Sequence, residues 1–232
     1  MGVLSGREAV VTGTAQGIGR SIADLIEAQG AVVLCIDRHD VDLADSTAAT
    51  AYLRNLGAID ILVHAAGGVC GQTHSPVEDV TDAEWDAVMD ANLRSAFNCV
   101  RAVAPAMKAR GFGRIVTISS GAGRSVSLTG VQAYTSAKAG LIGFTRQMAW
   151  ELGPYGITVN CIAPGFVLSN PTTRAQWESY GPDGQATLVE RIATRRTGEP
   201  ADIARGALFF VAPDAGWVSG QTLSIDGGHS LF

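Results

Sequence analysis

The chain has 232 residues, of which 47% are apolar and 17% charged, and its 28 glycines are spread along the whole length. These proportions favour one compact domain, and a formal net charge of -5 without a basic stripe argues against binding to nucleic acid or to an anionic membrane. No uncharged apolar run reaches the ~18 residues of a membrane span, and the N-terminus lacks a secretion-signal pattern, so we expect a cytoplasmic protein.

Short β-branched runs alternate with longer segments of helical period. In chain order they are EAVVT, IGRSIADLIEAQG, AVVLCI, IDILVHA, a helical stretch over 82–110, RIVTIS, a helix over 134–152, ITVNCIA and QTLSI. This alternation is typical of repeated βαβ units, and runs that are apolar on both faces, such as AVVLCI, should lie between two helical layers. We predict an α/β fold over 1–232, a single-domain Rossmann-like, doubly wound parallel sheet of about seven strands.

The segment VVTGTAQGIGR joins the first strand to the first helix. Gly13, Gly17 and Gly19 have a GxxxGxG spacing, and the helix begins near Ile18. Because glycine has no side chain, a pyrophosphate can approach the backbone of this turn closely. The first N–H groups of the helix point toward that pyrophosphate. A dinucleotide site is therefore expected here, although an ordinary tight turn has the same glycines.

Asp37 ends the second strand, 18 residues after Gly19. A carboxylate there accepts hydrogen bonds from both adenosine ribose hydroxyls and repels a 2′-phosphate, which favours NAD over NADP. Arg38 is suited to hold that phosphate and keeps NADP as the less favoured alternative. Gln16 occupies the place where a second basic residue would favour NADP.

Tyr134 and Lys138, in AYTSAKAG, lie one helical turn apart and share a helix face. A nearby ammonium favours phenolate, so Lys138 is expected to lower the pKa of Tyr134 from its ordinary ~10. A phenol adjusted in this way acts as base toward an alcohol and as acid toward a ketone. The alternative is a core tyrosine beside a lysine that extends to the surface.

Six motifs in order resemble the short-chain dehydrogenase/reductase family across essentially the whole chain. They are TGTAQGIG, HAAG at 64–67, Asn92 in MDANLRSAF, IVTISSGAG at 115–123, YTSAK, and APGFV at 163–167. The resemblance implies that Tyr134 is the acid/base, that Lys138 also binds the nicotinamide ribose, and that Asn92 holds a water of the proton relay. It further implies coenzyme contacts from Gly13, Gln16, Gly17, Ile18, Gly19, Asp37, Asp42, Leu43, Ala65, Ala66, Gly67, Tyr134, Lys138, Pro164, Gly165, Val167 and Ser169.

The serine that polarises the substrate oxygen belongs at the end of the strand RIVTIS. Alignment on ISSGAG selects Ser120, although its separation of 14 residues from Tyr134 is one longer than the resemblance leads us to expect. Ser119 is the alternative.

Two departures from the family pattern stand out. His64 replaces the first asparagine of the usual Asn-Asn-Ala-Gly, and we interpret it as a core histidine with satisfied hydrogen bonds. The chain also passes from Asp37 to Asp42 in five residues, which leaves no room for the usual helix between the second and third strands. The third strand should be short or frayed, and one edge of the adenosine pocket open.

An irregular segment over about 169–200 contains NPTTRAQWESYGPDG and is longer than the loop that the fold needs at this point. A substrate lid is favoured over a disordered insertion. Within it, Arg174, Trp177 and Tyr180 either contact the substrate or are surface residues without a role.

Cysteines at four scattered positions have neither a CxxC motif nor zinc spacing, so we predict no metal and interpret them as structural thiols. The predicted function is NAD-dependent hydride transfer to or from a small hydroxylated substrate, such as a sugar, polyol or cyclic diol. The alternatives are an NADP-dependent 3-oxoacyl thioester reductase and a non-catalytic nucleotide sensor. By resemblance, the long helices should pair the chain into a homotetramer.

Overall fold

A computed structural model describes residues 2–231 and contains one parallel sheet with the strand order β2-β1-β3-β4-β5-β6. The strands are β1 Glu8–Thr12, β2 Val32–Ile36, β3 Ile61–His64, β4 Gly113–Ile118, β5 Ile157–Pro164 and β6 Thr222–Ile225. The helices are α1 Gly17–Ala28, α2 Ser46–Asn55, α3 Asp82–Met89, α4 Ser95–Arg110, α5 Gln132–Leu152, α6 Pro171–Ser179, α7 Gly181–Arg191 and α8 Pro200–Val211. The predicted Rossmann-like α/β class is confirmed.

Helices cover both faces of the sheet. One apolar cluster packs α1 and α8 against β1, β3 and β5, and a second packs α2, α4 and α5 against the opposite face. Every residue of β4 and β5 is buried, because these central strands have a neighbour on each side and a helix on each face.

The sheet has six strands where we expected about seven. In residues 2–231, the segment around Asp42 that we assigned to a frayed third strand forms no strand, and α2 makes the crossover from β2 to β3. The short passage from Asp37 to Asp42 explains the loss. As a result β2 is an edge strand, and Val32 is 63% exposed although its run is apolar on both faces. The expectation that AVVLCI is buried on both sides was wrong.

The segment 169–200 is helical rather than irregular. It contains α6, which Asn170 caps by accepting a hydrogen bond from the Thr173 N–H, and α7. The cap and the proline at the first position of α6 are helix-start signals that the prediction overlooked.

Two of the cysteines depart from the expected structural role. Cys99 and Cys161 are buried, as expected of small hydrophobes, whereas Cys35 and Cys70 are exposed. Cys35 is exposed because it lies on the edge strand β2.

Among residues 2–231, no helix combines the length and apolar character needed to cross a membrane.

Candidate active site

The register of the sheet brings the predicted site residues to one edge. Thr12 pairs with His64, and His64 pairs with Thr117, so the segments that leave β1, β3 and β4 begin side by side. In open parallel sheets this carboxyl edge is where ligands bind.

The three glycines after β1 are required by close packing. A Cβ on Gly19 would lie 2.1 Å from the Gly13 carbonyl oxygen, and one on Gly13 would lie 2.8 Å from the Ala66 backbone. Gly17 is equally constrained, since its Cβ would lie 2.6 Å from the Ser169 carbonyl oxygen. Gly13 and Gly17 also have positive φ angles of 72° and 62°. The turn therefore holds the start of α1 directly against the end of β1.

The N-terminus of α1 has no side-chain cap. Its N-cap residue, the exposed Gln16, is extended and forms no side-chain cap, and the first turn contains no acidic residue. The first N–H groups, from Gly17 to Gly19, therefore have no capping side chain. A dinucleotide pyrophosphate fits this uncapped 12-residue helix in charge and hydrogen bonding.

Asp37 lies beside this turn. Its Oδ2 accepts from the Ala15 N–H at 2.7 Å and its Oδ1 from the Arg38 N–H at 2.8 Å. The carboxylate is thus held at the end of β2 while part of it stays exposed. Among the other predicted adenosine contacts, Asp42 is exposed and accepts from the Ala44 N–H at 2.9 Å, whereas the Leu43 side chain is buried in the core.

The structure brings Tyr134, Lys138 and Ser120 together. The Lys138 Nζ donates to the Ile118 carbonyl at 2.9 Å and lies 5.6 Å from the centre of the Tyr134 ring. The half-buried Ser120 forms a hydrogen bond with the Tyr134 side chain.

The two candidate serines have different environments. Ser119 is 3% exposed, and its Oγ donates to the Lys138 carbonyl at 2.8 Å. This hydroxyl is therefore committed to anchoring α5. Ser120 opens the turn that follows β4, where its Oγ accepts from the Ala122 N–H at 3.2 Å and keeps its own proton to donate.

The expected lowering of the Tyr134 pKa is wrong for this structure. Burial raises the pKa of Tyr134, and the Ser120 hydrogen bond opposes this only in part. The Lys138 ammonium lies near the ring and is directed to a backbone carbonyl, so it does not offset the burial. Burial also lowers the pKa of Lys138 itself, to about 8. The Tyr134 hydroxyl consequently keeps its proton at neutral pH.

Asn92 lies within a π-helical turn, Asp90–Arg94, between α3 and α4. Its side chain is fully buried; Nδ2 donates to the Val88 carbonyl at 2.7 Å and to the Gly68 carbonyl at 2.8 Å. Oδ1 accepts from the Gly68 N–H at 3.0 Å. The amide thus clamps the loop that follows β3. Such π-turns within helices are frequent at functional sites.

The remaining predicted coenzyme residues line the same edge. The N–H groups of Ala65 and Ala66 donate to Thr12 Oγ1, and the Gly165 N–H donates to the Ile225 carbonyl at 3.0 Å. Pro164 ends β5, and the others lie in the segments that leave β3 and β5: Gly67, Val167 and Ser169.

The aromatic residues of the 169–200 segment form a cluster. The rings of Trp177 and Tyr180 lie 5.9 and 6.0 Å from that of Phe166, which leaves β5 in the APGFV motif. Arg174 lines a separate cavity of about 440 Å³ together with Ser21 of α1. Trp177 and Tyr180 therefore pack this segment onto the site edge.

His64 is a buried histidine with satisfied hydrogen bonds, as expected. It has no exposed surface, and its two ring nitrogens lie 3.1 Å from Thr12 Oγ1 and 3.1 Å from Ser95 Oγ. Burial, followed by the charge of Lys138, lowers the pKa of His64 from 6.5 to about 3. The imidazole is therefore neutral at physiological pH.

This depressed pKa predicts sensitivity to acid. Below pH 6.5 the unfolded chain binds a proton at His64 that the folded chain does not bind until about pH 3, so the free energy of unfolding falls with pH. Between pH 7 and 5 the loss from this group is about 2 kcal/mol. Urea unfolding of the wild type and of His64→Asn at both pH values should show this extra loss only in the wild type. Equal losses would contradict the assignment.

Thr12, Ser95 and Phe166 are site residues that the sequence analysis missed. Thr12 immediately precedes Gly13, Ser95 follows Asn92 by three positions, and Phe166 lies inside APGFV. Their positions beside the motifs were the available signal. The contacts that join Thr12 and Ser95 to His64, however, span 52 and 31 residues of the chain.

Comparisons with known proteins agree with this geometry. The family model described as enoyl-(acyl carrier protein) reductase matches residues 44–230. The chain is 35% identical to the short-chain reductase protein NovJ of Streptomyces niveus, with 95% of this chain and 93% of the relative covered.

Solved structures with bound coenzymes are also similar. A structure described as a 2-deoxy-D-gluconate 3-dehydrogenase of Agrobacterium tumefaciens, with bound NADP, is 34% identical, with a TM-score of 0.88 and 97% of each chain covered. A 3-oxoacyl-[acyl-carrier protein] reductase of Brucella melitensis, with bound NAD, is 32% identical, with a TM-score of 0.85 and 97% and 91% covered. The ordered motifs, their convergence on one sheet edge and these similarities lead to one conclusion: the chain belongs to the short-chain dehydrogenase/reductase family of oxidoreductases.

Proposed function

We propose that the protein is an NAD-dependent oxidoreductase that transfers a hydride between nicotinamide and a secondary alcohol or ketone of a small hydroxylated substrate. The observation that carries the proposal is that Tyr134, Lys138 and Ser120 come together at the same carboxyl edge of the sheet as the uncapped N-terminus of α1. A proton donor and an anion-binding helix end thus share one edge of the sheet.

Four side chains have separate roles in the proposed reaction. Ser120 donates a hydrogen bond to the substrate oxygen, and Tyr134 gives that oxygen its proton in reduction or removes it in oxidation. Lys138 holds the nicotinamide ribose hydroxyls, and Asn92 supports a relay water. The bound nicotinamide supplies or accepts the hydride.

The protonation state of Tyr134 favours one direction at neutral pH. Because burial raises its pKa, the hydroxyl is ready to act as an acid, so ketone reduction is sustained at neutral pH. Oxidation needs the phenolate and should accelerate as the pH rises.

The function is tested by following reduced-coenzyme absorbance with a panel of sugars, polyols, cyclic diols and 3-oxoacyl thioesters. Turnover of a hydroxylated panel member with NAD supports the proposal. Turnover restricted to 3-oxoacyl thioesters with NADP would favour the second candidate. The Brucella relative supports the substrate class of that candidate, and Arg38 supports its coenzyme. Coenzyme binding without any turnover would favour a sensor, although a sensor has no need of Ser120, Tyr134 and Lys138 together.

The preference for NAD rests on Asp37. A 2′-phosphate beside this fixed carboxylate places two negative charges in contact, which costs several kcal/mol. We expect the Asp37→Ser variant to gain at least about tenfold in NADP affinity relative to NAD. Paired titrations with both reduced coenzymes measure the ratio. Asp45→Ser is the matched control, because it removes an exposed carboxylate at the N-cap of α2, a position where serine also caps. An unchanged ratio in Asp37→Ser would rule out this role.

Three further properties belong to the proposal. The 169–200 segment serves as a substrate lid, held by the aromatic cluster around Phe166. The proposed location is cytoplasmic.

A homotetramer is supported by apolar side chains exposed on the long helices, including Phe97 at 44% and Trp150 at 84%. A measurement of the molar mass by light scattering tests this assembly.

A further inference from the structure

We propose that His64 is a positioning residue, locked in a single tautomer, that joins the coenzyme-binding turn after β1 to the π-turn that carries Asn92. This inference rests on the proposed function, because both turns belong to the proposed coenzyme and proton-relay sites. It concerns the residue at which the chain departs from its family's usual asparagine.

The protonation of one ring nitrogen follows from Thr12. Thr12 Oγ1 accepts hydrogen bonds from the N–H groups of Ala65 at 3.2 Å and Ala66 at 3.1 Å. A hydroxyl oxygen has two lone pairs, and these two donors occupy both. The Thr12 hydroxyl proton must therefore be donated to His64 Nδ1, which lies 3.1 Å away and has to be unprotonated.

The other ring nitrogen is assigned independently from Ser95. Ser95 Oγ donates its single proton to the Ala91 carbonyl at 2.8 Å, with the Asn92 carbonyl at 3.3 Å as a second acceptor. Since that proton is used, Ser95 can only accept from His64 Nε2, 3.1 Å away. Nε2 must therefore carry the proton, in agreement with an unprotonated Nδ1.

These bonds form one directed chain across the site. It runs from the loop after β3, through Thr12 at the end of β1 and through His64, to Ser95 and the turn around Asn92. Asn92 connects this turn back to the loop after β3, because its side-chain amide forms two hydrogen bonds with Gly68 of that loop. Loss of the imidazole would leave a buried donor and a buried acceptor without partners and would free two coenzyme-binding segments to move.

An asparagine has one donor group and one acceptor in place of the imidazole pair, whereas leucine has neither. The proposal therefore predicts that His64→Asn retains most of the coenzyme affinity and that His64→Leu weakens it about tenfold or more. Met107→Ala is the control for stability alone, because Met107 is equally buried but contacts Gly113 at the opposite end of the sheet. This control should lower the melting temperature and leave the coenzyme dissociation constant unchanged.

The first test does not depend on coenzyme or turnover. Nitrogen-15 NMR of the labelled full-length protein at neutral pH, with the His64 signals assigned by their loss in His64→Asn, should show protonated Nε2 and unprotonated Nδ1. The opposite tautomer, or a mixture of the two, would overturn the proposal.

The second test is calorimetric titration with NADH of the wild type, His64→Asn, His64→Leu and Met107→Ala. If folded His64→Leu binds like the wild type, or if Met107→Ala weakens binding as much as His64→Leu does, the positioning role fails. If His64→Leu does not fold, Ser95→Ala takes its place and should weaken binding several-fold. A wild type that binds neither NADH in this titration nor NADPH in a parallel one would refute the proposed function, and the tautomer measurement would still decide the status of His64.

Discussion

Replacement of Tyr134 by phenylalanine is expected to lower kcat for ketone reduction by about 10²- to 10⁴-fold, the usual contribution of a positioned general acid. The phenol is the proton donor that lies next to Ser120, and its raised pKa keeps that proton available at neutral pH. Phenylalanine preserves the ring that packs near Lys138, so coenzyme affinity and stability should change little.

The measurement combines steady-state kinetics with calorimetric titration of coenzyme. Tyr155→Phe is the matched control, because Tyr155 is 45% exposed and follows α5 at the end of the sheet remote from the site. This control should keep wild-type kinetics. Turnover of Tyr134→Phe at the rate of the control would show that the proton comes from another group.

Replacement of Gly19 by alanine is expected to abolish coenzyme binding and to reduce the free energy of unfolding by about 1–3 kcal/mol or more, the usual cost of overpacking. The new Cβ would lie 2.1 Å from the Gly13 carbonyl oxygen, which is backbone and cannot rotate aside. The start of α1 would have to move away from β1, and its N–H groups would leave the position where they meet a pyrophosphate.

Urea unfolding and coenzyme titration measure the two effects separately. Gly153→Ala is the control, since Gly153 has a right-handed helical conformation with no atom within 4 Å of an added Cβ. The control should be neutral or stabilise by up to about 1 kcal/mol. Wild-type coenzyme affinity in Gly19→Ala would show that the turn does not need this close contact.

The parallel α/β class was predictable because the βαβ alternation has a strong local signature. The edge position of β2 was not, since a run such as AVVLCI has the same pattern whether its strand is central or at an edge. The missing neighbour on one side of β2 exposes Val32 and Cys35, and only the assembled sheet shows this. The segment 169–200 was misjudged because its polar composition concealed ordinary helix-start signals.

The charge state of Tyr134 was beyond sequence reasoning for a different reason. The spacing of Tyr134 and Lys138 correctly placed them on one helix face, but the pKa depends on where the ammonium points and on how much water reaches the phenol. In the fold, Lys138 donates to the Ile118 carbonyl and burial outweighs its charge. Ser119 and Ser120 were likewise separated only by their partners in three dimensions.

The sequence alone therefore determined the parallel α/β class, the glycine turn, and the residues of the proposed catalytic edge. These features depend on short-range periodicity and on the spacing of residues along one strand or helix. Both can be recognised from residues that are close together in the sequence. The tertiary structure decided the loss of the seventh strand, the direction of the Tyr134 pKa, the different environments of two adjacent serines, and the partners of His64. Each of these depends on desolvation or on hydrogen bonds between residues far apart in the chain, and such interactions exist only after the sheet and its helices have packed.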